Sequence, residues 1–360
     1  MKTLYLSSRT PLKDILANKK NTTPGTISKI QELRKQEISV DTLTKGIFEG
    51  NKALLAKAIT LLESTNPEHF EKANAVIEKC LSRPNSSIRL GITGVPGVGK
   101  SSFIEALGAL LTSKGKKVAV LAVDPTSSLS KGSILGDKTR MQSLSKDPNA
   151  FIRPSPSGSS LGGVAQKTRE SIILCEAAGY DVILVETVGV GQSEIAVHSM
   201  VDFFLLLKLS GAGDELQGIK RGIMEMADAI AINKADGDNL ERANLAAAEF
   251  SRALHLYPPK ANGWIPKVLK CSAIENMGIQ EIWDMVKDFV EQNKKNGHFE
   301  ENRKLQNKNW FLQTVDEQIK QYFYQKASFK KAQDKMLKAI EENKISPFYA
   351  AKNLLADITK

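Results

Sequence analysis

The chain has 360 residues, of which 41% are hydrophobic and 25% are charged, a composition typical of a globular protein. This length is enough for one large α/β domain with smaller additions. The longest apolar run of a predicted strand, Phe203 to Leu207, is far too short to cross a bilayer, and Met1 to Lys20 lacks the continuous apolar segment of a signal peptide. We therefore predict a cytoplasmic protein without a membrane partner.

Cysteine spacing and charge distribution exclude further classes. Cys80, Cys175 and Cys271 are too far apart to suggest a disulfide framework or a Cys-x-x-Cys metal site, so we expect them to be small buried hydrophobes. The net charge of +10 lies mainly in residues 1–50 and 291–360, where acids are interleaved with Lys and Arg. This favours a solvated surface over a nucleic-acid site and leaves an acidic protein partner open.

The first segment, residues 1–85, is helical in pattern, with Leu54, Ala58 and Leu61 at helical spacing. We expect it to be an N-terminal helical extension that packs on the core.

From Ile88 onward, short apolar runs alternate with helical segments, which predicts an α/β fold with a mostly parallel sheet flanked by helices. The predicted strands are Ile88 to Ile92, Val118 to Val123, Phe151-Ile152, Val182 to Val185, Phe203 to Leu207, Ala229 to Ile232 and Val268-Leu269. The predicted domain covers residues 86–292, and its ligands are expected at the carboxyl ends of the strands.

Directly after the first strand, Gly94 to Ser101 reads GVPGVGKS and fits the phosphate-binding pattern G-x-x-x-x-G-K-[ST]. An ordinary glycine-rich turn is the alternative, but the strand before it and the helical pattern behind it favour a P-loop NTPase. The predicted nucleotide-binding residues of this loop are Gly94, Val95, Pro96, Gly97, Val98, Gly99, Lys100, Ser101 and Ser102. Lys100 is expected to reach the β- and γ-phosphates, and the Ser101 hydroxyl is expected to hold Mg²⁺.

Two carboxylates follow the second strand. Asp124 stands at the strand end, where it would hold Mg²⁺ or its waters, or simply form an Asp-Pro turn. Asp137 lies in the sequence KGSILGDKTRM, where it would either cap a helix or act as a mobile acid that senses the γ-phosphate.

The fourth strand ends in Glu186, which matches the Walker-B position that steers Mg²⁺, directly or through water. Gly189 is predicted to donate its backbone N–H to the γ-phosphate, and Gln192 is a weaker candidate for orienting the attacking water. After the fifth strand, residues 208–221 contain Asp214, Gln217 and Lys220. That loop is either a surface connection or a third nucleotide-sensing segment.

The sixth strand delivers Asn233-Lys234-Ala235-Asp236, the N-K-x-D pattern. An aspartate here accepts hydrogen bonds from the ring N–H and amine of guanine, whereas adenine would leave it unpaired. The segment Ser272-Ala273-Ile274 follows the last strand, and the N–H of Ala273 is expected to meet the guanine oxygen. The sequence therefore predicts GTP and GDP as ligands.

Residues 293–360 form a predicted C-terminal helical arm. Trp310, Phe311, Val315, Ile319 and Tyr322 recur at helical spacing outside the main sheet. Such a stripe either packs on its own domain or forms a two-fold homodimer interface, which we favour.

Together these segments resemble the methylmalonyl-CoA mutase-associated GTPase family, within the metallochaperone-like group of P-loop GTPases. The resemblance covers the chain from about Lys52 onward. It is carried by residues 94–101, 123–141, 153–164, 186–194, 211–228 and 233–236.

The resemblance implies a homodimeric GTPase that serves an adenosylcobalamin-dependent acyl-CoA mutase by gating cofactor delivery and protecting or reactivating the mutase. A cobalamin adenosyltransferase is a further implied partner. The implied roles concern three groups. Lys100 and Ser101 bind phosphate and Mg²⁺; Asp124, Asp137 and Glu186 surround the metal; Asn233, Lys234 and Asp236 read guanine. Residues 211–221 resemble the family's additional switch loop.

Two alternatives remain at this point. A nickel-inserting GTPase of the same group would need clustered Cys or His ligands, whereas His69, His198, His255 and His298 are scattered. A non-catalytic scaffold with a structural nucleotide is the other alternative.

Overall fold

A computed structural model of the chain describes residues 38–64, 66–83, 86–123, 141–154, 161–187, 193–210 and 221–356. At its centre is a sheet of seven parallel strands in the order β3-β2-β4-β1-β5-β6-β7. The strands are β1 (Ile88–Thr93), β2 (Val118–Val123), β3 (Ala150–Arg153), β4 (Val182–Thr187), β5 (Phe203–Leu209), β6 (Ala229–Asn233) and β7 (Lys267–Lys270). Each predicted apolar run is a strand, so the predicted fold class is confirmed.

The strands form a parallel sheet because both of their faces are apolar and covered. Leu90 of β1 is aligned with Leu184 of β4 on one side and with Phe203 of β5 on the other. This places β1 between the two strands whose carboxyl ends carry the other predicted phosphate-side segments. The loop after β1 consequently lies in the middle of the ligand-binding edge.

Helices cover both faces of the sheet. They are α1 (Val40–Phe48), α2 (Lys52–Leu62), α3 (Pro67–Leu81), α4 (Lys100–Ser113), α5 (Leu161–Ala177), α6 (Ser193–His198), α7 (Arg221–Met226), α8 (Leu240–Leu254), α9 (Ile279–Lys295), α10 (His298–Gln325), α11 (Ala327–Glu341) and α12 (Pro347–Ala356). Short 3₁₀ turns occupy Leu144–Lys146 and Gly237–Asn239. Helices α4 and α9 pack on one face, and α1 to α3, α5, α6 and α8 pack on the other. None of the described helices combines the length and hydropathy that a bilayer crossing requires.

The N-terminal helices are defined by their caps. The side chains of Ser39, Asn51 and Asn66 accept hydrogen bonds from the first-turn N–H groups of α1, α2 and α3. The apolar faces of the three helices, including Ile47 and Leu55, are buried with α5 in one hydrophobic cluster. The expectation that this segment packs on the core is confirmed for residues 40–81, and residues 1–37 lie outside the described part.

The three cysteines are free and buried, as predicted. Burial raises the pKa of the Cys80 thiol to about 11 and that of Cys271 to about 12, and it also raises the pKa of Cys175. All three are therefore protonated near neutral pH and pack as small hydrophobes.

The C-terminal helices are joined to the sheet through Arg303 of α10. Its Nε and Nη2 atoms donate to the two carboxylate oxygens of Asp202 at 2.8 and 2.7 Å, and Nη2 also donates to the Ser87 carbonyl at 2.8 Å. Asp202 also accepts from the Arg89 backbone N–H at 2.8 Å. Further along α10, Trp310 turns toward the core, whereas Phe311 is 65% exposed and Tyr322 is 61% exposed.

Replacing Arg303 by Leu leaves the Asp202 carboxylate buried without its cation. We expect the free energy of unfolding to fall by about 3–5 kcal/mol in chemical denaturation. The control is Glu291→Gln, which breaks the exposed pair with Lys295 and should cost less than about 1 kcal/mol. Equal losses for the two variants would contradict this account.

Candidate nucleotide-binding site

The loop between β1 and α4 depends on glycine backbone geometry. Gly94, Gly97 and Gly99 have φ angles of +151°, +82° and +93°, which side chains other than glycine rarely adopt. A Cβ atom on Gly94 would lie 2.6 Å from the Leu207 carbonyl oxygen, and one on Gly99 would lie 2.8 Å from Asn233 Nδ2. Glycine is therefore required both by the turn and by the closeness of the neighbouring strands.

The helix behind this loop, α4, begins at Lys100 with Gly99 as its cap, and that cap has no side chain to occupy the first N–H groups. The first N–H groups of a helix lack intrahelical acceptors and carry the positive end of its dipole. The loop and helix start thus form an anion-binding surface. Val98 is fully buried and anchors the loop, whereas Pro96 and Ser102 are exposed.

The side chain of Lys100 folds back into the loop. Its Nζ atom donates to the Gly94 carbonyl at 2.6 Å and to the Val95 carbonyl at 3.3 Å. Burial lowers the pKa of Lys100, and the nearby carboxylates Glu186 and Glu194 oppose this effect. A charged amine held by neutral carbonyl oxygens is placed to exchange them for phosphate oxygens.

Glu186 and Ser101 form the predicted metal side of the site. Glu186 is the last-but-one residue of β4, is 4% exposed and accepts a hydrogen bond from the Ser101 hydroxyl at 3.4 Å. The next residue, Thr187, bonds the hydroxyl of Thr93 at 2.9 Å across the β1–β4 pair. A hydroxyl and a carboxylate side by side are the hard oxygen ligands that Mg²⁺ takes, so these residues fit the ion.

The N-K-x-D segment is joined to the phosphate loop by direct contacts. Asn233 Nδ2 donates to the Val98 carbonyl at 2.8 Å, and Lys234 Nζ donates to the Gly97 carbonyl at 2.9 Å. Lys234 itself has a φ of +60°, an uncommon backbone conformation for a non-glycine residue. These two hydrogen bonds hold the N-K-x-D segment against the phosphate loop.

Asp236 and the loop after β7 form the base side. The Ser272 hydroxyl donates to the Asp236 carboxylate and accepts from the Glu275 N–H at 3.1 Å. The Ala273 N–H, which is predicted to meet the guanine oxygen, donates to Asn233 Oδ1 at 3.3 Å. Ile274 beside it is 80% exposed. Ser272 therefore orients the Asp236 carboxylate.

The structure thus brings the phosphate loop, Glu186, the N-K-x-D segment and residues 272–274 to one edge of the sheet. Four predicted residues, Asp124, Asp137, Gly189 and Gln192, lie outside the described ranges, as do residues 211–220. The described ranges also hold no group of three or more His, Cys, Asp or Glu side chains arranged to bind a metal ion.

Sequence reasoning missed Ser193 and Glu194, the first residues of α6. Glu194 is 9% exposed, and its charge acts on Lys100. Ser193 is 1% exposed, and its hydroxyl has no hydrogen-bond partner in the described structure. The available signal was the pair Ser-Glu directly after a glycine-rich segment, but only the fold brings Glu194 close enough for its charge to act on Lys100.

Comparisons with known proteins point to one family. The sequence profile of the family described as methylmalonyl Co-A mutase-associated GTPase MeaB matches residues 55–328. A probable GTPase of Mycobacterium tuberculosis (strain ATCC 25618 / H37Rv) is 47% identical over 317 residues, which are 88% of this chain and 94% of that protein.

A mouse relative and a solved structure agree. The Mus musculus protein named methylmalonic aciduria type A homolog, mitochondrial, is 44% identical over 331 residues, 89% of this chain and 80% of its own. A crystal structure of an LAO/AO transport system kinase, 38% identical, superimposes with a TM-score of 0.72 and covers 89% of this chain and 98% of its own.

The contact between Gly99 and Asn233 can be tested by Gly99→Ala. We expect GTP affinity to fall at least tenfold, because the new methyl group displaces the Asn233 side chain and strains the loop by about 1–2 kcal/mol. The measurement is titration with a fluorescent GTP analogue. Gly115→Ala is the matched control, since Gly115 also has a positive φ of +75° but no atom within 4 Å of its Cβ position. Equal losses of GTP affinity in the two variants would contradict the steric explanation.

Proposed function

The chain belongs to the family of methylmalonyl-CoA mutase-associated GTPases and hydrolyses GTP, and we propose that it does so as the chaperone of an adenosylcobalamin-dependent acyl-CoA mutase. In this proposal GTP binding and hydrolysis gate cofactor delivery and protect or reactivate the mutase. A homodimer is the acting unit, and a cobalamin adenosyltransferase is a second partner. Cytoplasmic localisation stays a prediction from the sequence.

The observation that carries the nucleotide assignment is the Asp236 carboxylate oriented by the Ser272 hydroxyl. The half-buried Asp236 carboxylate, three residues after β6, can accept from both the ring N–H and the amine of guanine. Adenine does not present a ring N–H and an amine together at that edge. The carboxylate would therefore lose its bound water without gaining hydrogen bonds from the base. Guanine is consequently the base that this geometry favours.

The hydrolysis step uses the loop and the residues around it. Lys100 and the N–H groups at the start of α4 would bind the β- and γ-phosphates and stabilise the charge that develops as water attacks the γ-phosphorus. Ser101 and Glu186 would hold Mg²⁺, which when bound neutralises phosphate charge. Gly189, Gln192 and Asp137 are the proposed γ-phosphate, water and metal contacts from the segments outside the described ranges.

The position of the proposed switch segments supports a signalling role. Residues 188–192 connect β4 to α6, and residues 211–220 connect β5 to α7. Both strands are neighbours of β1, so their carboxyl ends lie beside the phosphate loop. This arrangement supports the proposal that a change in nucleotide state is passed to α6 and α7.

The homodimer proposal rests on the C-terminal helices. Several large apolar side chains of α10 to α12 are more than half exposed, among them Phe311 (65%), Tyr322 (61%) and Phe348 (83%). Contiguous exposed apolar side chains mark interaction surfaces in proteins that otherwise bury them.

Asp236→Asn tests the guanine assignment. The amide replaces one acceptor by a donor, so the affinity for GTP should fall at least a hundredfold, while xanthosine triphosphate, which offers an acceptor at that position, becomes the preferred ligand. Competition binding of GTP, ATP and xanthosine triphosphate measures this. Asp238→Asn, which changes an exposed acid two residues away, is the control and should leave preference unchanged. A variant at position 236 that keeps full guanine preference would refute the assignment.

The mutase role is tested by affinity capture of the purified chain from its native cells, with GTP or GDP present, read by mass spectrometry. We expect a cobalamin-dependent acyl-CoA mutase whose recovery differs between the two nucleotides. Lys100→Ala is the control and should remove the nucleotide dependence, because the variant lacks the phosphate-binding amine. Recovery of no cobalamin enzyme in either state would count against the chaperone role while leaving GTP hydrolysis intact.

A further inference from the structure

A second concave site lies away from the nucleotide loop, between α5, α6 and α10. Its volume is about 340 Å³, near the lower end of the range for small-ligand pockets. Ala165, Ile195 and Ala196 form an apolar side of the cavity. The opposite side is polar and includes Arg169, which is only 9% exposed.

The Arg169 guanidinium is bonded to neutral oxygens only. Nη1 donates to the Gln313 side-chain oxygen at 2.9 Å, and Nη2 donates to the Ser199 hydroxyl at 2.6 Å. Its Nε–H has no hydrogen-bond partner, and the described residues provide no ion pair for this cation. Burial lowers the pKa of Arg169, and the Glu317 carboxylate across the cavity offsets this only in part. An arginine stays charged even so, which leaves a buried cation without a paired anion.

Three other arginines of this protein each form an ion pair with a carboxylate. Arg89 and Arg303 use their Nε and Nη2 atoms to bind both oxygens of Glu176 and Asp202, at 2.7–2.8 Å. Arg153 binds Glu63 through the same two atoms. All three are more exposed than Arg169. The most buried of the four is therefore the one whose Nε–Nη2 edge carries no carboxylate.

A second unpartnered donor lies in the same cavity wall. The indole N–H of Trp310, on α10, is buried and has no hydrogen-bond partner among the residues that the structure describes. Leaving a buried donor without an acceptor is costly, and two such donors in one small cavity are uncommon in a relaxed core. Both are N–H groups, so both call for an oxygen acceptor.

We propose that this cavity binds a small organic carboxylate, with the carboxylate bridging Arg169 and Trp310. One ligand oxygen would accept from the unpartnered Nε–H of Arg169 and the other from Nη2, which has a second hydrogen besides the one it donates to Ser199. The hydrocarbon part of the ligand lies against Ala165, Ile195 and Ala196. Glu317 lines the same cavity and repels the anion, which limits affinity.

Calorimetric titration of the full chain with sodium acetate, butyrate and glutarate, against sodium chloride at equal ionic strength, tests the site. We expect saturable one-to-one binding of at least one acid, and none of butyramide, which has the same shape without the charge. Arg169→Gln should weaken binding roughly ten- to hundredfold. Glu317→Gln should strengthen it severalfold, and GTP hydrolysis should stay unchanged in both variants.

Two further variants keep the test decisive. Arg242→Gln removes an exposed arginine on α8 and should leave acid binding unchanged, which separates a local contact from a loss of overall charge. Trp310→Phe keeps the ring and removes only the N–H, so it should fold normally and weaken binding severalfold. The proposal is overturned if no acid binds saturably, if butyramide binds equally well, or if Arg169→Gln binds unchanged. It is also overturned if Arg169→Gln dissociates a dimer, which would assign the guanidinium to an acidic side chain of a second copy.

Discussion

One side chain, Asn233, holds the nucleotide edge of the sheet together. It is 1% exposed and donates to the Val98 carbonyl, and its oxygen accepts from the Ala273 N–H at 3.3 Å. The phosphate loop, the N-K-x-D segment and the loop after β7 therefore meet at a single amide. Gly99 completes the constraint, because any side chain there would occupy the position of Asn233 Nδ2. These contacts fix the phosphate loop and the N-K-x-D segment relative to each other.

The contacts of the site fall into two groups, those common to GDP and GTP and those that only GTP can make. Contacts that are the same for GDP and GTP, to the base and to the inner phosphates, bind both nucleotides and distinguish neither. A ligand shifts a conformational equilibrium only through contacts that differ between states. Under the proposed function those contacts belong to the γ-phosphate and to residues 188–192 and 211–220, which follow β4 and β5 in the sequence. Partner recognition is then expected on the segments that respond, and not on the loop that binds.

Most of the fold could be predicted because a parallel sheet with helices on both faces produces a recognisable sequence pattern. Each strand is a short apolar run, and the residues with binding chemistry follow the runs. Contacts that depend on how distant segments pack produce no such pattern in the sequence. The bond from the Ala273 N–H to Asn233 Oδ1 joins residues 40 positions apart and could not be read from the local sequence. Glu194 affects Lys100 only because α6 returns toward the loop, which no local pattern in residues 188–198 states.

Buried charge is where sequence reasoning ends and structure is needed. Arg89, Arg153, Arg169 and Arg303 are the same residue type, and nothing in their neighbours in sequence tells which one lacks a carboxylate. The structure does, and it also shows a parallel: Lys100 and Arg169 are both buried cations bonded to neutral oxygens. At Lys100 the glycine-rich loop and the start of α4 indicate that phosphate is the anion that the cation binds. Burying a cation is costly in either place, so the carboxylate proposed at Arg169 would meet the same physical need.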